Sequence, residues 1–71
     1  MDRHDIETYC EQGVWKNRRR DCEQPFSSGG SRLRQVAAGA EVARWVQGRH
    51  IIRGEDGAVA EIITYGTDSH A

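Results

Sequence analysis

The sequence predicts a single small α+β domain in which two β-hairpins form an antiparallel-rich sheet and one helix packs on one face. Three observations predict this ββαββ order: alternating residues near the N terminus, an amphipathic stretch in the middle, and two β-branched runs joined by Asp-Gly. The 71 residues form one domain, 1–71, because so short a chain is too small for two cores. With 37% hydrophobic and 30% charged residues, the composition is typical of globular proteins.

The first hairpin is predicted over residues 5–19. Side chains from Asp5 to Glu11 alternate with the period of two expected of a half-buried strand. Gln12-Gly13 supplies the turn. The chain then returns as a second extended run with Trp15 as its main apolar anchor. Residues 20–30, rich in Ser and Gly, are predicted to form a flexible loop.

The helix is predicted over residues 31–47. Ser31 suits its N-cap and Gly48 its C-terminal end. At 100° per residue, one broad arc collects the apolar side chains. Its members are Leu33, Val36, Ala37, Ala40, Ala43 and Val46. Gly39 lies within this arc, and its missing side chain predicts close contact with the sheet.

The second hairpin is predicted over residues 50–65. Asp56-Gly57 joins two β-branched runs, and both residues tolerate the positive φ that a tight hairpin turn requires. Residues 66–71 show no periodicity and are predicted to be a frayed tail.

The two cysteines are predicted to be free thiols. Cys10 pairs near Trp15 in the first hairpin, and Cys22 lies about seven residues further along, roughly 20 Å away. A disulfide requires Cα atoms within about 7 Å. Free thiols are typical of a reducing compartment. The apolar stretches are far shorter than the roughly 20 residues of a membrane span, and the first residues do not resemble a signal peptide, so we expect a cytoplasmic protein without membrane association.

A basic run at the end of the first hairpin suggests one possible partner. Residues 16–20 carry four positive charges in five positions, and arginine pairs well with phosphate oxygens. If the chain binds nucleic acid, the predicted contacts are Lys16, Arg18, Arg19, Arg20, Arg32 and Arg34. Acidic residues nearby could instead neutralise this run through cross-strand pairs and leave a solvated hairpin edge. These residues are Glu7, Glu11, Asp21 and Glu23.

The second hairpin predicts self-association. With the Asp56-Gly57 turn, Ile51 pairs with Ile62 on one face, so the other face also carries apolar residues. One helix covers only one face, and an apolar patch left open is unusual for a monomer. We therefore expect a homodimer through the open face or the exposed edge of this hairpin. The predicted interface is Ile52, Val59, Ile63 and Trp45. A curled first hairpin, or Phe26 folded back as a lid, would leave a monomer.

Catalytic and metal-binding motifs are missing from the sequence. The residues with suitable ligand atoms lack the paired spacing of a zinc site. They are His4, His50, His70, Cys10 and Cys22. There is no Gly-x-Ser-x-Gly elbow and no phosphate loop. A domain of this size also has little room for a ligand pocket. We expect a non-enzymatic binding module with no cofactor.

Five short motifs resemble a known bacterial family. They are Ile6-Glu7-Thr8-Tyr9, Trp15-Lys16-Asn17-Arg18, His50-Ile51-Ile52-Arg53, Asp56-Gly57 and Tyr65-Gly66. In their order and spacing they resemble the domain of unknown function 2188, over residues 5–68. The resemblance implies a small intracellular protein of a kind common in actinobacteria and their phages. It supports the predicted fold and implies no catalytic residue.

Overall fold

A computed structural model describes residues 4–66. Its elements in chain order are β1 (Ile6–Glu11), β2 (Val14–Arg19), β3 (Ser27–Ser28), α1 (Arg32–Val46), β4 (Arg49–Arg53) and β5 (Val59–Thr64). The strands form one sheet in the order β3-β2-β1-β4-β5, with α1 packed over β1, β2 and β4. The predicted α+β class is confirmed. Apart from Gly66, the predicted frayed tail lies outside the described residues.

The sheet is mixed, because β1 and β4 at its centre run parallel while the other neighbours are antiparallel. Both predicted hairpins are present, and Ile51 pairs with Ile62 as expected. The parallel pair arises because α1 carries the chain back across the sheet before β4 begins. In this pair Ile6 lies beside His50 and Thr8 beside Ile52.

The prediction of a flexible loop over 20–30 is wrong for its second half. Ser27–Ser28 forms β3 and pairs with β2. The Phe26 N–H donates to Asn17 O and the Gly29 N–H to Trp15 O, both at 2.9 Å. These backbone bonds outweigh the local preference of Ser and Gly for irregular structure. Phe26 is 44% exposed and does not form a lid.

The two ends of α1 are capped in different ways. The Arg34 N–H donates to Ser31 Oγ at 3.1 Å, which confirms the predicted N-cap. At the other end Gln47, and not Gly48, adopts the left-handed conformation with φ 57°. Gly48 is needed for another reason, since a Cβ there would collide with His4 O.

The predicted buried face of α1 is confirmed only in part, because Ala43 is buried and Val36, Ala40 and Val46 are half-buried, but Leu33 and Ala37 are exposed. The helix buries Gln35, Gly39 and Ala43, while Leu33 is 76% exposed. The sheet surface beneath the helix carries polar side chains, so a glutamine and a glycine fit there better than large apolar residues. The expected close contact at Gly39 is confirmed, because its Cα lies directly over Asn17 and His50.

The cysteines are free, as predicted. Cys10 pairs with Trp15 across the first hairpin, and Cys22 lies beyond the end of β2. Within residues 4–66, no helix is long and apolar enough to cross a membrane.

Candidate functional site

Both faces of β1 carry buried polar groups. Strand alternation turns Ile6 and Thr8 toward α1, while Asp5 and Glu7 point to the opposite side of the sheet. We call that opposite side the open face. Asp5, Glu7 and Thr8 are all at most 4% exposed. The sheet therefore separates two polar layers, one under the helix and one on the open face.

The layer under the helix is a hydrogen-bonded cluster centred on Asn17. The Asn17 Nδ2 group donates to Gln35 O at 2.7 Å and to Gln35 Oε1 at 2.8 Å, with Ser27 Oγ at 3.2 Å. On the other side, Thr8 Oγ1 lies 2.5 Å from Asn17 Oδ1 and 2.6 Å from His50 Nε2. We call these five residues the helix-side cluster. Their bonds tie four strands, β1 to β4, to α1.

The bonding pattern fixes the tautomer of His50. Because the Asn17 amide nitrogen donates to Gln35, its Oδ1 accepts, and the Thr8 hydroxyl must donate to it. His50 Nε2 then donates to Thr8 Oγ1. This leaves His50 Nδ1 unprotonated, buried, and without a hydrogen-bond partner among residues 4–66. Burial lowers the pKa of His50 from its ordinary value of 6.5, and the charge of Glu61 only partly opposes this.

Acidification from about pH 7 to about pH 5 should lower the free energy of unfolding. The pKa of His50 is lower in the folded chain than in the unfolded chain, so the unfolded chain takes up the proton first as the pH falls below 6.5. One proton changes the free energy by at most about 1.4 kcal/mol per pH unit. Urea unfolding at a series of pH values measures this slope.

The matched variant for this pH series is His50→Gln, which keeps an N–H donor but does not titrate. Its slope between about pH 7 and about pH 5 should be flatter than that of the wild type. All other titratable groups are the same in both proteins, so the two slopes differ only through residue 50. The pKa values of Asp5 and Glu7 lie below 3.8 and 4.5, outside this window. Equal slopes for the two proteins would contradict the role given to His50.

A hydroxyl beside an imidazole is also the arrangement of a nucleophile and its base. Here Thr8, Asn17 and His50 each have 0% exposure. A Cβ built on Gly39 would lie 2.6 Å from His50 Nε2, so the helix backbone closes the cluster from above. The arrangement holds the helix to the sheet and leaves no space for a substrate.

The layer on the open face consists of two carboxylates, each shared by two arginines. Asp5 accepts from Arg49 Nη2 at 2.7 Å and Nε at 3.2 Å, with Arg20 Nη1 at 3.5 Å. The hydrogen bonds from Arg49 lower the pKa of Asp5 in spite of its burial. An open cavity of about 380 Å³ adjoins this group and is lined by Asp5, Arg20, Asp21 and Arg49.

Glu7 is held in the same way. It accepts from Arg18 Nε at 2.9 Å and from Arg53 Nη2 at 2.9 Å. Burial by itself raises the pKa of Glu7, but the hydrogen bonds from Arg53 and Arg18 outweigh it, and the pKa is lowered. Both carboxylates are therefore ionised at neutral pH. The guanidinium groups around them are oriented by these bonds.

The basic run is divided between the two faces of the sheet. Lys16 pairs with Glu11 at 2.9 Å, and Arg18 and Arg20 pair with the carboxylates of the open face. Arg19 lies on the helix side, beside Ile6 in the register. Cross-strand pairing thus occurs as the alternative interpretation expected. The other two candidates lie on the helix side: Arg32 stacks over Trp15 at 5.6 Å, and Arg34 is an exposed residue of α1.

The predicted dimer residues do not form one patch. Ile52 is 3% exposed on the side covered by α1, so its expected exposure on an open apolar face is wrong. Ile63 is half-buried on the same side, while Val59 is 47% and Trp45 86% exposed. The helix covers the side opposite to the one assumed, and the open face carries arginine–carboxylate pairs beside the Ile51–Ile62 pair.

Sequence reasoning missed Asp5, Arg49 and Arg53 as members of the open face. A signal was present, because residues an even number of positions apart in a strand point to the same face. Asp5 and Glu7 are two positions apart at β1, and Arg49 and Arg53 are four positions apart in β4. This alternation does not show that β1 and β4 are neighbours in the sheet.

Comparison with known proteins identifies a family and nothing more specific. Among residues 4–66, no group of His, Cys, Asp or Glu side chains is arranged to hold a metal ion. No curated protein and no solved structure matches the chain. Residues 6–65 match the family described as an uncharacterized protein conserved in bacteria, DUF2188. Since this match covers most of the 71 residues, the chain belongs to the DUF2188 family.

Proposed function

We propose that the chain is a non-enzymatic, cytoplasmic binding module that forms a homodimer by pairing β5 with β5 of a second copy. The observation that carries this proposal is the exposure of β5, a six-residue outer strand that pairs with β4 on one side only. Val59 and Ile62 on it are 47% and 51% exposed. The closed helix-side cluster supports a role in binding rather than catalysis.

The edge of β5 lacks the features by which monomeric proteins protect exposed strands. Such edges usually carry proline, several charges, or a very short strand. β5 contains no proline, and its one charged residue is Glu61. The opposite edge of the sheet is the two-residue β3, which is too short to accept a partner strand.

The hydrogen-bond pattern defines which groups of β5 are available. The Tyr65 N–H donates to Gly48 O at 2.9 Å, on the side of β4. Every second residue of an antiparallel strand directs its backbone groups to the same neighbour. Ile63 therefore also faces β4 with its backbone, while Ile62 and Thr64 direct their N–H and C=O groups to the free edge.

A two-fold axis at Ile63 gives these free backbone groups hydrogen-bond partners in the second copy. It makes Ile62 of each copy a hydrogen-bonded pair with Thr64 of the other, and it places the two Ile63 side chains together. An axis at Glu61 would put two like charges opposite each other. The axis at Ile63 also avoids dependence on Ala60, which lies at the β-bulge where the register with β4 shifts.

The helix flank beside β5 adds apolar area to this interface. Arg44 lies over the ring of Tyr65, the residue after β5, at 5.9 Å, so this flank of α1 faces the sheet edge that β5 forms. Leu33 lies on the same flank three turns earlier and is 76% exposed. A six-residue strand alone offers little contact area, so the second copy must also cover Leu33 to approach a standard interface.

Light scattering on a size-exclusion column should give a wild-type mass of twice 8.0 kDa at high micromolar concentration. Thr64→Pro should give a monomer, because it removes an N–H that faces the free edge and none of the bonds to β4. Ile63→Lys should also give a monomer, since it places two positive charges at the axis.

The matched control is Thr64→Val, which keeps the N–H and should remain a dimer. Circular dichroism verifies that each variant is folded. A wild-type mass near 8.0 kDa at high concentration would end the proposal. A dimer that persists in folded Thr64→Pro would show that the copies meet elsewhere.

A further inference from the structure

We propose that the open face of the sheet binds single-stranded nucleic acid. The proposal rests on side chains contributed by β2 and β4 and by the residue after β2, not on the basic run as a continuous segment. They are Lys16, Arg18, Arg20, Arg49 and Arg53. This inference is independent of the proposed dimer.

The surface that a partner meets on this face is cationic. The side chains of Asp5 and Glu7 are 4% exposed, whereas those of their four arginine partners are 30–55% exposed. The carboxylates thus lie beneath a layer of guanidinium groups. Five basic residues against four carboxylates, with Glu11 and Asp21 included, leave a formal charge of +1 on this face. The whole chain carries −1, so its positive charge is concentrated here.

The arginines keep donors for a ligand. Arg18 uses its Nε for Glu7, so its two terminal nitrogens make no hydrogen bond with other side chains among residues 4–66. Arg20 makes one long contact, 3.5 Å from Nη1 to Asp5. The hydrogen bonds to the buried carboxylates orient these guanidinium groups, which lowers the entropy lost when phosphate oxygens bind.

The shape of the face favours a single strand over a duplex. A sheet surface without a protruding helix or loop cannot enter a groove of double-stranded DNA. It can support an extended strand with separated bases. The Arg18 guanidinium lies over the Tyr9 ring with 4.8 Å between its Cζ and the ring centroid, so an outer planar surface is available for a base to stack on. A polyglutamate chain or an anionic lipid headgroup has no aromatic ring that would stack on this surface.

Fluorescence anisotropy with labelled oligo(dT) of about twelve nucleotides tests the proposal. We expect binding that weakens steeply between about 50 mM and about 200 mM salt. Arg18→Gln/Arg20→Gln should weaken it at least tenfold and reduce the slope of log K against log salt by about 1.4, the value for two lost phosphate contacts. Circular dichroism must show that the variant is folded.

The matched control is Arg32→Gln/Arg34→Gln, which removes the same charge from the helix side and should leave binding unchanged. No binding of the wild type at about 50 mM salt would overturn the proposal, as would a loss confined to the control variant. Equal affinity for polyglutamate or for phosphatidylserine vesicles would replace it with general polyanion binding. Folded, monomeric Thr64→Pro should bind oligo(dT) as the wild type does, which separates this proposal from that of the dimer.

Discussion

Replacing Gly39 with alanine should lower the free energy of unfolding by about 1–3 kcal/mol. The new Cβ would lie 2.6 Å from both Asn17 Oδ1 and His50 Nε2, and 2.8 Å from Thr8 Oγ1. To admit it, α1 must move away from the sheet or the helix-side cluster must lose hydrogen bonds. Either change outweighs the gain of about 1 kcal/mol in helix propensity that alanine brings. Urea unfolding followed by circular dichroism measures the effect.

The control for this substitution is Ala37→Gly, at an exposed position of the same helix. It should cost about 1 kcal/mol through helix propensity alone. The two substitutions thus separate propensity from packing, because propensity predicts opposite signs for them. If Gly39→Ala stabilised the protein, α1 would have to lie farther from the sheet than the structure places it.

Replacing Glu7 with alanine should lower the free energy of unfolding by about 2–3 kcal/mol. The substitution leaves Arg18 and Arg53 without their common partner. Their side chains are 36% and 30% exposed and regain water, so the loss is smaller than the roughly 3–5 kcal/mol of a fully buried pair. The midpoint of urea unfolding at neutral pH reports it.

Glu11→Ala is the matched control, because Glu11 also pairs across the first hairpin but is 59% exposed. Its unfolding midpoint should stay close to that of the wild type, as is common for exposed ion pairs. Equal midpoints for the two variants would contradict the buried role of Glu7.

Local signals in the sequence predicted the hairpins and the start of the helix. The alternation in β1, the Asp56-Gly57 turn and the Ser31 cap each depend on a few neighbouring residues. The buried face of α1 was not predictable in the same way. Apolar periodicity identifies the face toward an apolar sheet, whereas the surface beneath α1 presents Thr8, Asn17 and His50.

The open face was harder to predict, because it depends on the order of strands. Asp5 and Arg49 are 44 positions apart, and Glu7 and Arg53 are 46 apart. Only the parallel pairing of β1 with β4 brings them together. Hairpin signals show which residues that are close in sequence lie together, but not which distant strands pair. The basic run was therefore interpreted as one continuous patch.

The two polar layers also determine the alignment of β1 during folding. A slip by one residue relative to its neighbours would exchange its two faces. Glu7 would then lie under Gly39 beside His50, and Thr8 would face Arg18 in its place. In a strand with one apolar side, such an error costs packing alone, but here it would also bury a carboxylate without a counter-ion. The charged and hydroxyl groups of β1 thus contribute to the specificity of folding, because they penalise misaligned states more than the native one.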